Sequence, residues 1–134
     1  MDDSFECASI RHLIDADILY ERHRYDNAIC HYAFSVECVL KAFKPKPPRI
    51  HELDKLQDLV RAYNELLGLI HPKYILLRGI GNVPSTLVQN HPKRRYFRDT
   101  DYSDEEVEQG KVFAHSLAER LTNSILDGQI FWTN

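Results

Sequence analysis

The sequence predicts an all-α fold, an up-and-down bundle of four long helices with a short extra helix. Apolar residues recur at intervals of three and four over four long stretches, no stretch alternates convincingly as a strand, and the prolines fall between the long stretches. At 134 residues the chain fits one domain spanning 1–134, large enough to bury a core without disulfides or a structural metal.

The first helix is expected to begin after Asp3 or Ser4, either of which can cap it, and to run to about Arg22 with Phe5, Ala8, Leu13, Ala16, Ile18 and Leu19 available for burial. Glu21 to Arg24 is so short a link that the next helix must return antiparallel, making a hairpin. That second helix, Arg24 to Phe43, is the predicted centre of the fold. Tyr25, Ala28, Ile29, Tyr32, Ala33, Val36, Leu40 and Phe43 make its buried stripe, while Glu37, Lys41 and Lys44 fall off it. Pro45, Pro47 and Pro48 then stop helical structure.

The third helix is read from His51 to Leu67, with Gly68 as its stop. From Gly68 to His91 the pattern breaks into a short helix after Pro72 and an irregular connection. The segment His91 to Asp99 is basic and aromatic, unlike the rest of the chain. Ser103 and Glu106 then have the spacing of a capping box, opening a last helix with Val107, Gly110, Ala114, Leu117, Ala118, Leu121 and Ile125 on one face and Gly128 just past its end. Gly110 costs about 1 kcal/mol of helix propensity relative to alanine, which suggests close helix packing there.

Composition excludes several classes. No run of about 18 apolar residues exists to span a membrane, and the acidic start lacks the pattern of a secretory signal, so a cytoplasmic protein is expected. Cys7, Cys30 and Cys38 form no CxxC pair and read as reduced thiols. The seven histidines lack the tight ligand pairs of structural zinc sites, so neither metal nor cofactor is expected. Net charge is −3, but residues 41–98 carry +8 between flanks of −5 and −6. A basic centre either holds an anion such as RNA or a nucleotide, or pairs with the acidic helices of its own bundle or of a twin subunit.

A helix hairpin, then Ala28, Ala33, Glu37, Lys41 and Ala42, then the proline break with His51, Leu53 and Leu56, then Arg95-Tyr96 before a final helix, resembles the HEPN family, the higher-eukaryote and prokaryote nucleotide-binding domain. The resemblance extends from the first helix to about Leu126. It implies a helical bundle that commonly forms homodimers, with bacterial members encoded beside a minimal nucleotidyltransferase as toxin and antitoxin or in defence. It also implies, for the active branch, a metal-independent RNase with an Arg-x(4–6)-His motif near the start of the last long helix. Here no histidine follows Arg94, Arg95 or Arg98 at that spacing, so the motif is absent from its usual place. Arg24 and His31 do match the spacing, at the entry to the second helix, and are the only catalytic candidates.

For nucleotide or RNA contact the candidates are Arg94, Arg95, Tyr96 and Arg98, because guanidinium groups grip phosphate and tyrosine stacks on a base. The competing reading makes Arg95 a structural ion-pair donor and Tyr96 a buried interhelical residue, with Arg94 and Arg98 solvated. Lys41 either pairs with Glu37 one turn away or faces the same basic cleft, and His51 either binds ligand or orients the third helix. The expected function is a dimeric module binding nucleotide, RNA or a nucleotidyltransferase partner. The alternatives are a metal-independent RNase toxin and an interaction scaffold without nucleic acid that uses Ile130, Phe131 and Trp132.

Overall fold

The computed structural model describes residues 4–70, 77, 79–97 and 102–128. Among them every regular element is helical: α1 (Phe5–Glu21), α2 (Tyr25–Ala42), α3 (Leu53–Ile70), a single-turn α4 (Ser85–Val88), a 3-10 turn (Lys93–Tyr96) and α5 (Asp104–Leu126). No helix among the described residues is long and apolar enough to cross a membrane.

The expected local signals set most boundaries. Ser4 caps α1 by accepting from the Cys7 backbone N–H at 3.3 Å. Ser103 and Glu106 close the capping box at α5, each side chain accepting a backbone N–H at 3.2 Å, and Gly128 takes a positive φ of 76° just past its end. One stop differs from expectation: α3 runs through Gly68 to Ile70, because a lone glycine costs a helix only about 1 kcal/mol and does not remove a hydrogen bond. The predicted helix after Pro72 lies, but for Leu77, outside the described residues, whereas α4 falls in the connection read as irregular and the 3-10 turn in the basic and aromatic segment.

Packing is arranged around α2, which touches α1, α3, α4, α5 and the 3-10 turn. It places Ile29, Tyr32, Val36, Leu40 and Phe43 in the core, against Leu53, Leu56 and Val60 of α3, Leu87 of α4, and Val107, Leu117 and Leu121 of α5. Each such side chain contributes about 2 kcal/mol on burial. The α1–α2 hairpin is antiparallel, since Ser9 meets Ser35 while Asp17 meets Tyr32. Tyr32 donates to Asp17 at 2.6 Å, His115 of α5 reaches the same carboxylate at 2.9 Å, and Tyr20 donates to Glu108 at 2.6 Å, so one polar seam ties α1, α2 and α5.

Gly110 has the role its position suggested. A Cβ there would lie 3.1 Å from Leu87 Cδ2 and 3.3 Å from Ile29 Cδ1, so the glycine lets α5 approach α4 and α2. Gln57 of α3 holds the loop before α4: its amide donates to Gly81 O at 2.7 Å and accepts from Val83 N at 2.9 Å.

Candidate functional site

The 91–96 segment is pinned at two points, and the pins decide which of its side chains are left for a ligand. The first pin is His91, whose Nε2 lies 2.8 Å from Oε1 of Glu37. A carboxylate offers only acceptors, so the imidazole carries its hydrogen on Nε2. Lys41 Nζ and His51 Nδ1 reach the same carboxylate at 3.1 and 3.0 Å. Burial pushes the Glu37 carboxyl up, but hydrogen bonds from His91, Lys41 and His51 outweigh it and hold the group below the ordinary glutamate range. Glu37 is therefore an ionised, buried hub joining α2, the entry to α3 and the loop after α4.

The second pin is Arg94. Its guanidinium is buried and donates to the carbonyls of Thr86 at 2.7 Å, of Leu87 at 2.5 Å and of Gln89. Those are the free acceptors at the end of α4, so Arg94 serves as that turn's C-terminal cap. Burial lowers its basicity from the ordinary arginine value without bringing it near neutrality at pH 7.

What remains outside is Arg95. Its guanidinium lies 4.9 Å from the centre of the Tyr96 ring and 6.0 Å from that of Phe34, within the range of cation–π attraction. Tyr96 is 78 % exposed and Phe97 52 %. Phe34 in turn meets the edge of His91, ring centres 4.7 Å apart, and stacks on His12 at 5.4 Å and 25°. His12 continues the series to His31, with Nδ1 atoms 3.0 Å apart. The outcome is a chain of rings from His31 through His12 and Phe34 to His91, with one exposed arginine resting on it.

No family model, no curated protein and no solved structure matches this chain.

The sequence candidates separate into distinct groups. Arg95 and Tyr96 are brought together at the surface. Lys41 and Arg94 turn inward instead, Lys41 onto Glu37 and Arg94 onto the carbonyls of α4, so neither charge is offered to an anion. His51 is half exposed and orients on Glu37. Arg24 sits exposed at the start of α2 without capping it through its side chain, and His31 is paired with His12 rather than with Arg24. Arg98, like Ile130, Phe131 and Trp132, lies outside the described residues.

Sequence reasoning missed His12 and Phe34 as site residues, and His91 as Glu37's partner. Glu37 and Lys41 gave a faint signal, an i,i+4 ion pair on the helix whose other residues were core. None of the three cysteines is in a disulfide. Burial pushes Cys38 up to about 12 and raises Cys30 as well, so neither is a thiolate nucleophile at neutral pH.

Proposed function

We propose that this chain is a HEPN-like up-and-down helical module, acting as a homodimer, that binds a nucleotide or RNA beside Arg95 and serves a toxin–antitoxin or defence system, with a nucleotidyltransferase as its protein partner. One observation carries the ligand class: Arg95 is exposed while its guanidinium lies over Phe34 and Tyr96. Contact with the rings limits the conformations that binding would have to freeze, and the guanidinium edge remains able to grip a phosphate bidentately. The exposed Tyr96 offers a stacking surface for a base. The +8 charge of residues 41–98 gives the ligand its sign, although Lys41 and Arg94 spend their charges internally. The absence of the Arg-x(4–6)-His motif after Arg95 supports binding without cleavage.

The test is fluorescence anisotropy of a labelled single-stranded RNA and of a labelled adenine nucleotide, over a range of salt, with EDTA present and the RNA checked for cleavage on a gel. Salt-sensitive binding of either probe by the parent protein, weakened in Arg95→Ala and Tyr96→Ala, is expected. Binding of neither probe at low salt would overturn the proposal in favour of a scaffold without nucleic acid. Cleavage in EDTA that is lost in His31→Ala would replace it with a metal-independent RNase.

A further inference from the structure

The bundle leaves one apolar face of α1 uncovered. Ile10, Ile14 and Ile18 are 36, 54 and 48 % exposed, and their spacing of four residues sets them in one row along the helix. The buried side of α1, which packs on α2 and α5, is made of other residues, Ser9 and Ala16 among them. An open groove of about 340 Å3 runs beside the isoleucine row, lined by Cys7, Ile10, Arg11, Ile14 and Asp15. Arg11 and Asp15 form one edge of the face, a single turn apart. Both are exposed, and neither is in an ion pair among the described residues.

We infer that a second copy of this chain docks on that face, α1 against α1 in antiparallel sense, about a two-fold axis level with Leu13. The inference names the surface of the homodimer proposed above and rests on that part of the reading. Charge selects the arrangement. Leu13 is midway between Arg11 and Asp15, so a two-fold at its level sets Arg11 of each copy against Asp15 of the other, twice per dimer.

The same axis staggers the isoleucines. Ile14 of one copy falls between Ile14 and Ile10 of the other, two residues or about 3 Å of helix rise from each. Ile10 falls in the same way between Ile18 and Ile14 of the other copy, so the two rows interleave. A parallel pair would set each isoleucine level with its own twin. It would also put the two Arg11–Asp15 edges on opposite sides of the pair, where no charge meets its complement. Isoleucine is stiff at its branched carbon, so burying it costs little side-chain entropy. A single helix crossing is a small interface, and the dimer is therefore expected to dissociate in the micromolar range.

Sedimentation velocity of the untagged parent protein, from low to high micromolar concentration, reads the monomer–dimer equilibrium. A reversible dimer is expected, and Ile14→Asp should weaken it on the order of a hundredfold by setting an unpaired charge in the apolar row. Arg11→Glu and Asp15→Arg each place like charges opposite one another and should each weaken it about tenfold. The double variant Arg11→Glu/Asp15→Arg restores opposite charges and should return the affinity to within about threefold of the parent. These edge residues are exposed, so the rescue decides even if circular dichroism shows Ile14→Asp unfolded. Leu69→Asp, at the exposed end of α3, should leave the dimer unchanged. A dimer indifferent to the Ile14 and Arg11 variants, one dissociated by Leu69→Asp instead, or no rescue by the double variant would overturn this inference and leave the homodimer standing. A parent protein that is monomeric throughout would overturn both, and the face would then belong to a different protein. None of these readouts involves RNA or nucleotide, so they are independent of the Arg95 site.

Discussion

At the scale of the residue, Arg94 and Arg95 show how little a residue type says about its role. They are adjacent, yet Arg94 is buried among the carbonyls of α4 and Arg95 rests on exposed rings. A 3-10 turn has about three residues per turn, so neighbours point roughly 120° apart and one can face the core while the next faces solvent. Arg94→Ala, which strands those carbonyls, is expected to cost about 3 kcal/mol in denaturant unfolding. Arg95→Ala should change stability by no more than about 0.5 kcal/mol while reducing RNA affinity. Glu37→Ala leaves the buried Lys41 ammonium without its counter-charge and is expected to cost about 3 kcal/mol, measured in the same way.

At the scale of the element, α5 has two features that set its position. The capping box satisfies backbone donors in the first turn, where Asp104, Glu105 and Glu106 also meet the positive helix end. Ser103→Ala should cost about 1 kcal/mol, read from the shift of the thermal midpoint. Gly110 sets the distance to Leu87 and Ile29. In Gly110→Ala the gain in helix propensity, about 1 kcal/mol, opposes an overpacking cost of roughly 1–3 kcal/mol. Two neighbours would have to give at once, so a net loss of about 1 kcal/mol is expected in denaturant unfolding. Both features were legible because capping and close approach leave local marks, a Ser-x-x-Glu spacing and a glycine inside a strong helix. The α1 pattern was less legible: Ile14 is 54 % and Ile18 48 % exposed, although Ile18 had been placed among the residues available for burial. Apolar character is shared by two sides of α1, so periodicity alone does not choose between them.

At the scale of the whole molecule, stability depends on two groups whose pH effects have the same sign. Glu37 has a lowered pKa, so its stabilisation is present above the unfolded value of 4.5 and is lost as pH falls through the folded value below it. His12 is also lowered, from 6.5; the unfolded chain binds that proton first, so stability already begins to fall as pH drops through 6.5. The thermal midpoint should therefore decline between neutral pH and pH 4.5, and more steeply below. His12→Gln should flatten the upper part of the curve and Glu37→Gln the lower part, both read by circular dichroism melts. The uneven charge of the chain has its own consequence: the slope of log binding constant against log salt for RNA should be shallower by about 0.7 in Arg95→Ala, the share of one phosphate contact on a single strand.

The sequence by itself determined which long stretches are helical, where most of them start and stop, and that α2 is central, because helix period, caps and proline breaks act over a few residues. Only the tertiary structure decided the site. Glu37 meets His91 across 54 residues and His12 meets His31 across 19, and no local pattern encodes a contact at such separations. The same holds for Lys41 and Arg94: their charges are plain in the sequence, but whether a charge faces a ligand or a buried partner depends on which helix packs over it.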